Sequence, residues 1–199
     1  MALTGILAVM TPPLVFHGVK TMVVLPRALA ADQVARDALH QLVEGGFSTL
    51  SGQTTIRGLR LAARRSGTEP ALWLGEDDRI GFRTADGQDV LIRWDSTLNN
   101  EVMRRDFFSP VCPAPNNPGE VLPYHAQGSV RILRIAPATP IFRYYNQSGT
   151  LLAAPGCSLS GITTVRRVDI NLVAQTGSGV FDEGHAREPI TTSVAIRAP

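Results

Sequence analysis

The sequence is poor in lysine and in aromatic residues. Lys20 is the only lysine, so the positive charge rests on arginines spread along the chain, and the formal net charge is only +2. Nucleic-acid-binding domains gather their basic residues on one face and interleave them with aromatic residues that stack on bases. The cluster Arg57, Arg60, Arg64 and Arg65 has no such aromatic residues, so we expect no specific nucleic-acid partner.

Cysteine is equally scarce, since Cys112 and Cys157 are the only two, and both lie in loop-like sequence rich in proline and glycine. Neither has a partner at CxxC spacing, which argues against a structural zinc site. The context favours one disulfide, with two free thiols or a reactive cysteine as alternatives. A disulfide would close a loop of about 45 residues, contribute about 3–4 kcal/mol to stability and indicate a location outside the cytoplasm.

The sequence also lacks the motifs of common enzymes. We find no nucleophile elbow, no HExxH pair and no glycine-rich phosphate loop that opens a helix. The four histidines are far apart in sequence. We therefore expect no enzymatic activity, no cofactor and no metal centre. Two options stay open: calcium binding in the polar loop 177–188, and glycosylation at Asn146 in the sequence Asn-Gln-Ser.

Acidic residues are absent from residues 1–30, which are strongly apolar. A helix crosses a bilayer with about 20 apolar residues, so we predict a membrane-spanning or filament-core helix here, with a kink at Pro12 and Pro13. A cleaved signal peptide fits poorly because no basic segment precedes the apolar run; a buried core helix is the other alternative. The predicted filament-core residues are Met1, Leu3, Ile6, Leu7, Val9, Leu14, Val15, Phe16, Val19, Met22, Val23, Val24 and Leu25.

The rest of the chain changes from helical to strand periodicity. Helical spacing predicts amphipathic helices over residues 26–43 and 47–65. Alternation predicts strands at 79–84 and 89–95, joined by an Asp-Gly turn, and further strands near 98–103, 130–135, 141–145, 150–153, 165–174 and 190–197. We predict an α+β fold with a long N-terminal apolar helix and an antiparallel β-sheet head. The stem would comprise residues 1–66 (apolar 1–30, amphipathic 31–66), and the head residues 67–199.

Several segments resemble type IV pilins and the pseudopilins of type II secretion, including minor prepilin-type proteins. They are the N-terminal MALTGILAVM and, more specifically, PIFRYYNQSGTLL, VRRVDINLVAQTGSG and TTSVAIRAP in the C-terminal half. The resemblance covers most of the chain. Gly5 stands where the family has a glutamate that pairs with a neighbouring subunit's N-terminal amine, so that pairing is not expected here.

The resemblance implies a structural subunit of an extracellular type IV pilus-like filament, assembled through its apolar N-terminal helix. Its partners would be copies of itself in a helical homopolymer, with other pilins as a further option, and the inner membrane before assembly. The alternatives are a membrane-anchored extracytoplasmic binding module and a minor pseudopilin of a secretion system. A major or minor role, and a role in adhesion, motility, DNA uptake or secretion, are left open by the sequence.

Overall fold

The computed structural model describes residues 29–30, 32–48, 55–62, 70–96, 102–107, 110, 112, 119–122, 130–133, 139–176 and 188–196. Within these ranges the chain is mostly β-structure, arranged in three antiparallel sheets. The small sheet has two strands, and each of the larger sheets has five.

The first described elements are a helix and a two-stranded sheet. Helix α1 covers residues 32–43 and buries Ala35, Ala38 and Leu42 at a spacing of three to four residues, as an amphipathic helix does. The prediction for residues 26–43 is confirmed over this part. The chain then turns at Gly45, with φ of 99°, and strand β1 (Gly45–Gly46) pairs with β2 (Ile56–Arg57).

The helix predicted over residues 47–65 is wrong in its described part. Residues 56–57 form strand β2, and Leu59–Leu61 form a single 3₁₀ turn. The apolar residues that suggested a helix, Ile56 and Leu59, are buried in the core. Tertiary burial has therefore decided the local conformation.

The first large sheet is a meander of five strands in chain order. They are β3 (Leu72–Gly75), β4 (Arg79–Arg83), β5 (Asp89–Asp95), β6 (Val102–Phe107) and β7 (Glu120–Leu122). The predicted hairpin is confirmed: β4 and β5 are joined by a turn in which Gly87 has φ of 84° and its amide donates to the Thr84 carbonyl (2.9 Å). The sequence patterns missed β3 and β7, and β6 extends to Phe107, past the end predicted near residue 103.

The second large sheet is formed by the C-terminal part of the chain. Its elements are β8 (Val130–Leu133), β9 (Phe142–Tyr145), β10 (Leu151–Leu152) and, after the short helix α2 (Leu159–Ile162), β11 (Arg167–Thr176) and β12 (Glu188–Ala195). Strand β11 is central: β12 pairs along one side, and β9 and β8 share the other. The predicted alternation is confirmed, since Val168, Ile170 and Leu172 are fully buried.

One hydrophobic core joins α1 to both large sheets. Leu42 of α1, Phe82 and Ile92 of the first sheet, and Phe142 and Ile170 of the second belong to the same buried cluster. Residues on both sides of the predicted boundary between stem and head, which lies outside the described residues, thus contribute to one core.

The predicted fold class, a long apolar N-terminal helix followed by an antiparallel sheet head, is contradicted by this architecture. The described chain is predominantly β, and its helices are short. None of the helices in the described ranges has the length and apolar character of a bilayer span. The antiparallel strands of the predicted head are present, but they pack against the short amphipathic helix α1.

Candidate functional site

The two cysteines form a disulfide across the molecule. Cys112 follows β6 of the first sheet, and Cys157 lies between β10 and α2, 45 residues further along the chain. The loop that contains Cys157 is also held by backbone hydrogen bonds. Gly75 of β3 and Gly156 exchange two of them, of 2.8 and 2.7 Å. The disulfide, one of the alternatives left by the sequence, is confirmed. It attaches the loop before α2 to the segment after β6, and the Gly75–Gly156 bridge attaches the same loop to β3.

A pocket of about 240 Å³ lies beside this disulfide. Its walls include Leu72, Trp73, Cys157, Leu159 and Ile162, so it is mainly apolar. Leu159 stands at the pocket with 62 % of its surface exposed. Such a pocket has room for one apolar side chain or a small ligand group rather than a cofactor, since cofactor sites usually measure about 300–1,000 Å³.

The polar groups among the described lining residues are one ion pair and one indole. Arg83 and Asp89 both line it, and the Arg83 Nη1 lies 3.3 Å from the Asp89 Oδ2. The Trp73 ring packs over Gly81, where an added Cβ would come within 2.5 Å of it. The Trp73 Nε1 is buried and has no hydrogen-bond partner among the described residues. The described lining of the pocket therefore combines an apolar surface with a paired charge, and these residues include no carboxylate pair or histidine for acid–base chemistry.

A second charged group is buried in the first sheet. Arg105 is 1 % exposed; its Nε donates to the Glu120 Oε1 at 2.6 Å, and its Nη2 donates to the Phe47 carbonyl at 2.5 Å. Burial lowers the pKa of Arg105, and the charge and hydrogen bond of Glu120 oppose this shift. The group joins β6, β7 and the segment after β1, which indicates a structural role.

The solvent-facing side of the second sheet carries a polar row. Asp169 lies between Arg143 and Ser193 in the strand register, and the Ser193 hydroxyl donates to the Asp169 Oδ1 at 2.7 Å. Arg167 lies over the Tyr145 ring, 4.0 Å from its centroid. These residues are linked across neighbouring strands, as expected for a solvated sheet face.

The acidic turn at residues 76–78 serves to connect the two large sheets. The Tyr144 hydroxyl donates to the carbonyls of Glu76 (2.8 Å) and Arg79 (3.3 Å), and Asp77 accepts from the Ile141 amide through its carbonyl. Burial is the main cause that raises the pKa of Tyr144, followed by the charges of Asp77, Glu76 and Asp78. Within the described ranges no cluster of potential metal ligands occurs.

Asn146 lies in the predicted turn between β9 and β10. Its Oδ1 accepts hydrogen bonds from the Ser148 hydroxyl (2.8 Å) and the Thr150 amide (2.9 Å). These contacts are those of an ordinary Asx-type turn. Glycosylation at Asn146 stays a prediction.

Other predicted sites lie outside the described residues. These are the filament-core positions from Met1 to Leu25 and residues 177–187 of the calcium loop predicted at 177–188. Three of the histidines, for which no site was predicted, also lie outside the described residues, and His40 lies on the exposed side of α1. Sequence reasoning missed both the pocket beside the disulfide and the Arg105–Glu120 pair. Arg105 and Glu120 are 15 residues apart. The pocket is lined by segments from distant parts of the chain, around residues 70–73, 83–89 and 157–162, and within it only Arg83 and Asp89 flank a predicted feature, the turn of the hairpin.

Scans against protein-family models, curated proteins and solved structures found no match to this chain.

Proposed function

We propose that this protein is a structural subunit of an extracytoplasmic filament and acts through contacts with other protein chains. The observation that carries the proposal is the disulfide between Cys112 and Cys157. Disulfides persist in oxidising compartments outside the cytoplasm. The apolar residues 1–30 of the sequence supply a segment suited to a membrane or to a filament core.

The pairing of charged groups among the described residues also supports a non-enzymatic role. The charged groups that are buried or line the pocket pair with each other, as Arg83 does with Asp89 and Arg105 with Glu120. Catalytic groups are instead held ready for substrate, often with a nucleophile beside a base. Structural ion pairs of this kind position strands and loops.

A second candidate, a membrane-anchored binding module, is favoured by the pocket beside the disulfide. Trp73, Arg83 and the exposed Leu159 line this pocket, and tryptophan and arginine are enriched among residues that dominate binding energy. In this case residues 1–30 would anchor the chain and the pocket would receive an apolar group of the ligand.

Negative-stain electron microscopy of two proteins tests the proposal. The intact chain should form filaments, and the chain lacking residues 1–25 should give dispersed particles, because the apolar segment would supply the axial contacts. Alkylation and mass spectrometry should show the Cys112–Cys157 disulfide in both samples. Dispersed particles from both, with the disulfide intact, would overturn the filament and favour the anchored binding module.

A further inference from the structure

Strand β12 lies at the edge of the second sheet, with β11 on one side and no described strand on the other. The amide of Ile196 donates to the Arg166 carbonyl (2.8 Å). Since successive residues of a strand direct their backbone groups to opposite sides, Ile190, Thr192 and Val194 bond to β11. Thr191, Ser193 and Ala195 therefore direct their amides and carbonyls away from the sheet.

Within the described residues, this edge lacks the usual protection against strand pairing. Edge strands are commonly blocked by lysine, by inward-pointing charge, by a bulge or by proline within the strand. Residues 190–196 carry no charge and no proline. The register from Arg167–Ala195 to Ala174–Glu188 is continuous, without a bulge. Pro189 limits pairing only at the start of the strand.

The outward groups of β12 are complementary to a second copy of themselves. In an antiparallel pair centred on Ser193, Thr191 of each copy lies opposite Ala195 of the other, and each such pair exchanges amide and carbonyl groups. The side chains placed opposite one another are small or β-branched: Ser193 meets Ser193, Thr192 meets Val194, and Ile190 meets Ile196. Pairs of β-branched residues stabilise antiparallel strands, and no like charges meet between residues 190 and 196.

We propose that β12 pairs edge to edge with β12 of a second copy of this chain, with the two-fold axis at Ser193. The two five-stranded sheets then become one continuous sheet across the interface, a mode of recognition in which backbone hydrogen bonds provide the affinity. The pairing does not depend on the proposed filament, because it uses the described β-domain rather than residues 1–30.

Cysteine cross-linking tests the pairing in the full chain. Opposite residues in a hydrogen-bonded antiparallel pair have Cα atoms about 5.5 Å apart, within the range that a disulfide spans. Ser193→Cys should give a covalent dimer under mild oxidation, with the Cys112–Cys157 bond preserved in peptide maps. Thr163→Cys is the matched control, since Thr163 is also exposed but lies at the end of α2; it should give little dimer.

Register is tested by mixing copies that carry Thr191→Cys with copies that carry Ala195→Cys. The mixed dimer should form in preference to either homodimer, because residues 191 and 195 lie opposite each other across the axis. In a mixture of Ser193→Cys chains and Leu151→Cys chains, the second variant places its cysteine on β10. If Ser193→Cys chains cross-link to Leu151→Cys chains rather than to one another, the contact is head to tail and the β12–β12 pairing is overturned. Equal yields from the residue 193 and residue 163 variants would also overturn it.

A pair of variants separates edge pairing from folding. Ser193→Ala and Ser193→Pro both remove the hydroxyl bound to Asp169, but only the proline removes the outward amide. We expect Ser193→Pro to weaken dimerisation about tenfold or more relative to Ser193→Ala, from two lost hydrogen bonds in a symmetric dimer, as measured by sedimentation in detergent. Unchanged dimerisation of a folded Ser193→Pro chain contradicts the proposal; where that variant does not fold, the cross-linking yields alone decide.

Discussion

The guanidinium of Arg105 is buried at the junction of three segments. It pairs with Glu120 and donates to the Phe47 carbonyl, so its loss removes the cation that faces a buried carboxylate. Removing one member of a buried ion pair usually costs about 3–5 kcal/mol, whereas a well-packed apolar replacement of both members can be neutral.

We therefore expect Arg105→Met to lower the free energy of unfolding by about 3–5 kcal/mol, measured by urea denaturation. The double variant Arg105→Met with Glu120→Leu should recover much of this loss. Arg36→Met is the control, because Arg36 pairs with Asp32 on the exposed side of α1, and surface pairs contribute about 0–1 kcal/mol. Equal effects of the two single variants would show that the buried pair has no special role.

Tyr144 gives a prediction for alkaline pH. Burial, and then the charges of Asp77, Glu76 and Asp78, raise its pKa well above 10.0. An unfolded tyrosine ionises near pH 10, so above that pH the unfolded chain binds fewer protons than the folded chain, and stability falls as pH rises.

Unfolding measured from about pH 8 to 11 should show this alkaline loss in the wild type. Tyr144→Phe should reduce the pH dependence and, at neutral pH, lower stability by about 1 kcal/mol through the lost hydrogen bonds. Tyr145→Phe, which changes the neighbouring residue on the solvent-facing side, should keep the alkaline loss. A Tyr144→Phe profile parallel to that of the wild type would contradict this assignment.

At the scale of elements, the packing of the Trp73 ring on strand β4 requires glycine at position 81. Gly81 lies beneath the Trp73 ring, and a Cβ at this position would come within 2.5 Å of it. Gly81→Ala should therefore displace Trp73, lower stability by about 1–3 kcal/mol and change the tryptophan fluorescence. Because Trp73 lines the pocket beside the disulfide, the same change should alter that pocket.

Gly46→Ala provides the matched control for this prediction. The nearest described atoms to a Cβ at Gly46 belong to the flexible side chain of Gln41, the first at 3.1 Å, so we expect a change in stability within about 0.5 kcal/mol. An unaltered fluorescence spectrum in Gly81→Ala would show that the Trp73 ring does not depend on this contact.

The elements also differ in how well the sequence predicted them. The β4–β5 hairpin, β11 and β12 were predicted because their alternation and the Asp-Gly turn are local signals. The helix predicted over residues 47–65 is not formed in its described part, where Gly58 makes close backbone contacts. A Cβ at Gly58 would lie 2.4 Å from the Val43 carbonyl. A contact between residues so far apart has no signature in helical periodicity.

At the scale of the whole molecule, the disulfide connects the two large sheets. It joins the chain after β6 to the chain before α2 and closes a 45-residue interval. Replacing both Cys112 and Cys157 by serine should lower the free energy of unfolding by about 3–4 kcal/mol, in denaturant titrations followed by tryptophan fluorescence. Reduction of the wild type should reproduce this loss; stability that is insensitive to reduction would contradict the expected contribution.

The sequence by itself determined the local features: the amphipathic spacing of α1, the alternation of β11 and β12, the Asp-Gly hairpin, and two cysteines placed in loops. Only the tertiary structure decided the predominance of β-sheet among the described residues, the Arg105–Glu120 pair, the pocket beside the disulfide and the position of β12 at the edge of the described sheet. The physical reason is the sequence separation over which each kind of interaction acts. Alternation and turn preference act between neighbouring residues, whereas strand order, buried ion pairs and free edges depend on contacts between residues far apart in the chain.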